Sequence, residues 1–434
     1  MTQDHQPTPD QIPNEAGQGL SPSGINPSHA LRFIFITILV DVIGFGIIIP
    51  VLPSLLASLG LTDNAEASRY GGWLTFAFAA MQFLCAPLLG GLSDRFGRRP
   101  VLLIALTGLG LDYILHAVTN SIELLFVGRI LAGICGASFT TASAYIADVS
   151  TPEKRAQNFG LVGAAFGLGF IIGPVVGGLI GQFGPRAPFY LAAALSLLNV
   201  LYGFFVLPES LPKSRRRAFD ITRANPIGAL KHIGNNPQVI TLVVALSLIM
   251  LAGYSVQGVW TFYTKGRFGW DEKMIGYSLG VVGIVASIVQ GGLIRVFLAK
   301  LGQSKTLIMG VTLSMLGLIA FGLSDVSWMM FAAIIPYCTG NVSGPVLQGL
   351  ISSQVPANEQ GELQGALTSI MSLTAIVGPV LMTNIYAYFT EAGAPIQLPG
   401  APFFLGAVLV FVAITILLRS NIWTAVPVIA KEGE

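Results

Sequence analysis

Twelve stretches of this chain stay apolar for roughly twenty residues, and that repetition limits the fold more than any other feature. They run over 31–57, 71–91, 100–119, 123–149, 157–181, 188–207, 237–264, 273–299, 306–323, 327–354, 362–390 and 401–419. A hydrocarbon layer about 30 Å thick is crossed by about 20 residues of helix, and a helix satisfies its own backbone polar groups there. The runs are continuously apolar and lack the ten-residue alternation of a barrel strand. The expectation is an all-α integral membrane protein with twelve transmembrane helices. Composition agrees: 53% of the 434 residues are hydrophobic and 10% are charged, too little polar surface for a soluble chain of this size.

The basic residues are sorted between loops. With the N-terminus inside, fourteen Lys and Arg fall at cytosolic turns and five at outer ones, which places both termini in the cytosol. Sorting of this kind accounts for the net charge of +2, so no nucleic-acid partner is expected. Residues 1–30, rich in Pro, Gln, Ser and Asn, read as a disordered cytosolic tail without the basic start and apolar core of a cleavable signal. Residues 421–434 read as a second tail. Cys85, Cys135 and Cys338 lie inside spans, and no pair has metal-ligand spacing, so neither a disulfide nor a metal site is expected. Without a nucleophile elbow, a paired His/Asp motif or a metal cluster, no enzyme is expected either.

The longest polar interruption lies between spans six and seven. It divides the chain into a bundle over 31–207, a cytosolic linker over 208–236 and a second bundle over 237–420. The halves echo each other. Gly97 to Gly302 and Gly173-Pro174 to Gly378-Pro379 are both offsets of 205, and Pro152 to Pro356 is 204. Six helices per copy leave both copies in one orientation, related by an axis along the membrane normal. Such pseudo-symmetric transporters hold cargo near the midplane between the halves.

Two motifs stand against that background. The turn between spans two and three, GGLSDRFGRRPVLL, places four charges beside lipid-compatible runs. An anchor for positive charge would explain the arginines but not Asp94, Gly90, Gly97 or their spacing. Asp94 can pair with Arg98 or with a neighbouring helix, and Asp148, at the fourth cytosolic turn, is a candidate partner. Span five carries Gly169, Gly173, Gly177 and Gly181 every four residues, with Pro174 and Gly178 among them. Such a ridge lets helices touch backbone to backbone in lipid, and the proline favours a bend.

Ionisable groups inside the bilayer are expensive and mark function by default. Asp41 lies in span one, among Gly44, Gly46, Pro50 and Pro53, which make that helix bendable. Asp112 and His116 share a face of span three, and Arg129 lies in span four. The acids could exchange protons as access alternates, with Arg129 tuning them; a structural pair and a merely satisfied histidine remain alternative readings. Gln82, Phe139, Tyr145, Tyr254, Gln257, Trp260, Phe262 and Gln290 are the aromatic and amide candidates for a drug pocket.

The loop resembles the G-x-L-x-D-R-x-G-R-R motif of the major facilitator superfamily. That resemblance implies a conformational latch at Gly90, Asp94, Arg95, Gly97 and Arg98 with Asp148, holding the outward-facing state. The span-five sequence around Gly169, Gly173, Pro174, Gly177 and Gly178 resembles the antiporter motif of proton-coupled exporters in that superfamily. Over about 31–420 the chain resembles the tetracycline efflux proteins of Gram-negative bacteria, through DVIGFGIIIPVLP, LDYIL, GRILAGICGA, RFGW and LQGALTSIMSLTAIVGP. The resemblance implies a monomeric drug/proton antiporter of the bacterial inner membrane, driven by the proton gradient with no cofactor. Asp41, Asp94, Asp112 and Arg129 fall on charged positions that matter in the family. Two departures exist. The family's span-nine acid would fall at Ser314, and its span-eight histidine near Ala286, so the second half is expected to work differently and metal–drug chelates are disfavoured as cargo. The alternatives are a multidrug exporter that does not carry tetracycline and a metabolite facilitator.

Overall fold

A computed structural model describes residues 27–136, 138–216, 237–356 and 359–420 of the chain, and within them regular structure is entirely helical. Residues 1–26 of the expected N-terminal tail, the expected C-terminal tail and most of the linker lie outside the described residues, whereas residues 27–30, expected in the tail, already belong to the first helix. Span one is α1 (Pro27–Ile48), a 3-10 turn and α2 (Leu52–Ser58). Spans two and three are α3 (Asn64–Phe96) and α4 (Arg98–Val118). Span four is α5 (Ile122–Cys135) followed by α6 (Ser138–Val149); spans five and six are α7 (Pro152–Gly181) and α8 (Ala187–Val206). Span seven is α9 (Pro237–Gln257) with α10 (Trp260–Phe268). Span eight is α11 (Glu272–Ile288), a π-helical turn over Val289–Leu293 and the start of α12 (Ile294–Gly322), whose remainder is span nine. Span ten is α13 (Ser327–Gly340) with α14 (Ser343–Ser353), and spans eleven and twelve are α15 (Gln360–Tyr388) and α16 (Ala401–Arg419).

Length and hydropathy pick out eleven long apolar helical stretches among the described residues, one of them the 51 residues Glu272–Gly322. Gly302, at φ 74° and ψ 175°, splits that stretch into spans eight and nine, and twelve crossings result. Gly97 turns the chain between spans two and three at φ 105° and ψ 160°. Both glycines stand at the same place in the repeat, in a backbone region that strains any residue with a Cβ. Several helices start on a capping side chain. Asp63 accepts from the Ala65 N–H at 3.1 Å and Asp271 from the Met274 N–H at 2.8 Å, each satisfying a donor that the first turn leaves free.

Spans one, four, seven and ten are each broken, at residues 49–51, after Cys135, at residues 258–259 and at residues 341–342. The first break follows from Pro50 and Pro53, as expected of a bendable helix one. Elsewhere the irregularities also match across the repeat. Pro87 sits inside α3, and the 205-residue offset carries it to Gly292, inside the π-helical turn of span eight.

Within the first six spans, span one packs on five and six, three on four and six, and two on four. Within the last six, seven packs on eleven and twelve, and nine on ten and twelve. The halves meet where span five lies on eight and span two on eleven. The repeat interchanges those two contacts, as pseudo-symmetry requires. The span-five ridge serves both kinds of contact. A Cβ on Gly173 would stand 2.8 Å from the Gly46 Cα of span one, whereas one on Gly178 would stand 3.1 Å from the Gly276 Cα of span eight. Close backbone approach of this sort supplies the van der Waals contact that holds helices together in lipid.

Among the described residues, several hydrogen bonds between the halves gather at one end, the closed end. Asn64 Nδ2 donates to the Phe262 carbonyl at 2.9 Å and to Tyr386 Oη at 2.8 Å. Ser54 bonds both Lys265 and Glu272, and Arg69 pairs with Glu391. At the other, open end a Cβ on Gly160 or Gly163 of span five, or on Gly344 or Gly349 of span ten, would meet nothing within 4 Å. With the bonds between the halves gathered at the opposite end and these positions open, the cleft between the halves opens toward the end that carries Gly97, Asp148 and Gly302.

Candidate functional site

Behind the first half's wall of this cleft is a buried charge cluster. Asp112, only 1% exposed, forms an ion pair through Oδ2 with Nη2 of Arg129, which is itself buried. His116, one turn along α4, places Nδ1 2.9 Å from the Asp112 main-chain oxygen and 3.0 Å from Oδ1. Both are acceptors, which assigns the ring proton to Nδ1. That donor is aimed at the carbonyl, so Oδ1 of Asp112, like Nε of Arg129, is buried without a hydrogen bond of its own. The imidazole also stacks on Phe189, centroids 5.5 Å apart. Gly128 makes room for the cluster: a Cβ there would stand 2.6 Å from Asp112 Oδ1 and 3.0 Å from His116 Cε1.

An acid with a spare acceptor beside a partly used guanidinium can take up a proton and release the arginine. The pair is neutral when Asp112 is ionised and carries one positive charge when it is protonated. In a low-dielectric setting that difference is felt over several ångströms. Asp41 lies half-buried on α1, one turn before Gly44, whose Cβ would stand 3.5 Å from the Tyr113 hydroxyl of span three.

The loop between spans two and three forms a second charged group, at the open end. Arg98 Nη1 donates to Asp94 Oδ1 and Ser93 Oγ, both at 2.6 Å, and Nε donates to Asp148 Oδ2 at 3.1 Å. Asp148 also accepts from Ser210 Oγ at 3.0 Å. Thus Asp94, Arg98 and Asp148 are brought together inside the first half, while Arg95 lies over the Phe96 ring. Sequence reasoning missed Glu209. Its Oε1 accepts from the Arg98 N–H at 2.8 Å and its Oε2 from the Arg99 N–H at 3.3 Å, capping an α4 N-terminus that Gly97 leaves without a side-chain partner. The available signal was an acid two residues beyond span six, in Pro208-Glu209-Ser210.

The expected pocket residues separate. Gln257 and Gln290 are exposed, the latter in the π-helical turn. Gln82 donates to the Gly136 carbonyl at 2.9 Å, bridging the break in span four. Trp260 is instead buried in the second half, donating to Ser278 Oγ at 2.9 Å and lying edge-on to Phe321. Tyr145 is fully buried with its hydroxyl 3.2 Å from the Pro208 carbonyl. Both are core residues in this state, where hydrogen bonding satisfies their polar tips. Phe262 is buried against Gly71, and Tyr254 packs on Gly378. The side chain of Phe139 lies outside the described ones. Ser314 is buried where span nine meets Gly340 of span ten: a Cβ on Gly340 would stand 2.5 Å from the Ser314 nitrogen. Among the described residues no group of three His, Cys, Asp or Glu could hold a metal ion.

The chain is 41% identical over 360 residues to the tetracycline resistance protein, class C, of Escherichia coli, covering 83% of this chain and 90% of that one. It is 29% identical to multidrug resistance protein 2 of Bacillus subtilis strain 168, covering 85% and 93%. The crystal structure of the human organic anion transporter MFSD10 (TETRAN) superposes with a TM-score of 0.67 at 23% identity, covering 91% of this chain and all of that one. The family model of the Major Facilitator Superfamily matches residues 34–299, more than half of the chain. With twelve crossings, two six-helix halves and that match, the chain belongs to the major facilitator superfamily.

Proposed function

We propose that the protein exports small amphipathic drugs of the tetracycline kind from the cytoplasm in exchange for protons, by alternating access. The observation that carries the reading is the Asp112–Arg129–His116 cluster, buried behind a cleft that is open at one end only. Relatives named for tetracycline resistance support the cargo. The sorting of basic residues favours a cytosolic open end with both termini inside, and the likeness to bacterial tetracycline resistance proteins supports a bacterial inner membrane. The bundles 31–207 and 237–420 rock as units about the linker 208–236, and the protein works as a monomer without a cofactor.

In the cycle, cargo enters from the cytosol while Asp112 is ionised and paired with Arg129. After the halves rock, a proton from the outside adds to Asp112, by way of Asp41 or His116, and leaves Arg129 unneutralised. The added positive charge disfavours a cationic cargo in the cleft, and the drug departs. Asp94, Arg95 and Arg98, here folded onto their own half with Asp148, reach the second half when the cytosolic end shuts; Gly90 and Gly97 allow the close turn this needs. Gln82, Gln257 and Gln290 offer polar contacts to cargo.

The test is tetracycline movement by purified protein in liposomes under an imposed pH gradient. Transport abolished by collapsing the gradient, and lost in Asp112→Asn and Asp41→Asn, is expected. Equal transport without a gradient would make the protein a facilitator. Ser314 and Ala286, where the family carries an acid and a histidine, favour one second reading: a multidrug exporter that moves cationic dyes but not tetracycline.

A further inference from the structure

Three phenylalanines from three different helices meet on the first half's side of the cleft. Phe45 of span one lies 6.4 Å from Phe78 of span two, interplanar angle 36°, and 6.2 Å from Phe170 of span five, at 74°. Spans two and five make the main helix contacts of this half with the other half. A ring on span one that touches both faces the space between the halves, not lipid. Phe45 and Phe170 are nevertheless 39% exposed each, which inside a span means that they border the open cleft. Arg129 also lies over the Phe78 ring, its guanidinium carbon 6.0 Å from the ring centroid. Phe166, one turn toward the open end, stacks on Phe170 at 6.4 Å and 19°. The rings thus form a line from the open end to the depth of the buried charge cluster.

The geometry points to Phe45, Phe78 and Phe170 as a stacking seat for a flat, fused-ring cargo, with Phe166 as its lead-in and Phe45 as the specificity-determining residue. Ring faces offered about 6 Å apart accept a planar π-system by offset or edge contact, which an aliphatic wall of equal area does not reproduce. The guanidinium over Phe78 couples the seat to the charge state of the Asp112–Arg129 pair. The seat rests on the exporter reading for its cargo but makes a separate demand: selectivity for planarity, read as apparent affinity and not as maximal rate.

The experiment compares the full-length protein with Phe45→Leu, Phe45→Trp and Phe170→Leu in liposomes under one pH gradient. The probes are tetracycline, the planar cation ethidium and the non-planar cation tetraphenylphosphonium. Phe45→Leu and Phe170→Leu are expected to raise the half-saturating concentration of the planar probes about threefold to tenfold at unchanged maximal rate. They should leave tetraphenylphosphonium within about twofold, and Phe45→Trp should behave as the parent. Unchanged concentration dependence in Phe45→Leu, or an equal loss for planar and non-planar probes, overturns the seat. Equilibrium binding of tetracycline and ethidium to the detergent-solubilised protein separates the two readings. Binding weakened by Phe45→Leu without gradient-driven transport in the parent keeps the seat and removes the antiporter; a parent that binds neither planar probe removes the seat.

Discussion

Arg129→Met and Asp112→Asn break the same buried ion pair, yet their effects should differ, because only one of the surviving partners can lose its charge. Asp112 left alone can take up a proton. For a carboxyl with an ordinary value near 3.9, holding a proton at pH 7 costs about 4 kcal/mol, roughly three pH units at about 1.4 kcal/mol each. Arg129 left alone stays charged at every accessible pH. Its Nε already lacks a hydrogen bond, and the cost falls in the range of about 3–5 kcal/mol for an uncompensated buried charge. In Arg129→Met the folded state holds a proton that the unfolded chain has released, so stability falls as pH rises above about 4. Denaturant unfolding in mild detergent from pH 5 to 8 reads this out. The Arg129→Met deficit should shrink by about 2–3 kcal/mol between pH 7 and pH 5. The Asp112→Asn deficit should not change, and the double variant should regain most of the loss. A flat pH profile for Arg129→Met, or an Asp112→Asn protein as stable as the parent, would refute the assignment of a buried, charged pair.

Gly128→Ala places a methyl group 2.6 Å from Asp112 Oδ1; gradient-driven transport should drop at least tenfold while the protein still elutes as a folded species, and unaltered transport would count against the cluster's role. Glu209→Gln removes a charged acceptor from the α4 N-terminus and should destabilise by about 1 kcal/mol in the same unfolding assay. Asn64→Ala deletes the bonds to Tyr386 and Phe262 that tie the closed end. A cysteine placed at Ser54, in a background free of the native thiols, should then react severalfold faster with a membrane-impermeant reagent added from outside. Gly276→Val, which thrusts a side chain into the span five–span eight contact at Gly178, should act in the same direction and more strongly.

Much of this molecule was legible because lipid imposes one-dimensional rules. Twelve apolar runs gave twelve crossings, since nothing but a helix can hide its backbone in hydrocarbon. The ridge in span five was readable as close packing, but not that it divides, with Gly173 on span one and Gly178 on span eight; a period of four marks a face, not a partner. Asp112, His116 and Arg129 were found because charge in a greasy run stands out. Trp260 and Tyr145 are buried and hydrogen-bonded in this state, and the sequence does not signal it, because an aromatic residue with a polar tip looks the same whether a ligand or a neighbouring Ser278 or Pro208 carbonyl receives its donor. Phe45, Phe78 and Phe170 went unnoticed for the converse reason. A Phe in a membrane span is unremarkable until three helices bring the rings to one side.

The two halves share a backbone but not a chemistry. The offset of 205 that carries Gly97 to Gly302 carries Asp112 to Gly317, His116 to Phe321 and Arg129 to Ile334. At those positions the second half has hydrophobic packing: Gly317 lies on Tyr337, and Phe321 joins the cluster of Trp260, Tyr337 and Phe403. Likewise Phe170 maps to Ala375, and α9 carries no charged residue. If proton exchange and ring stacking both belong to the first half, the second half need supply only a surface that closes on the cargo. This explains how the family's span-nine acid can be absent: Ser314 is buried against Gly340, where a carboxylate would face span ten instead of the cleft. Placing an acid there should therefore destabilise the protein without adding a proton site. A Ser314→Asp variant that folds normally and alters the pH dependence of transport would show that the second half retains a latent share in coupling.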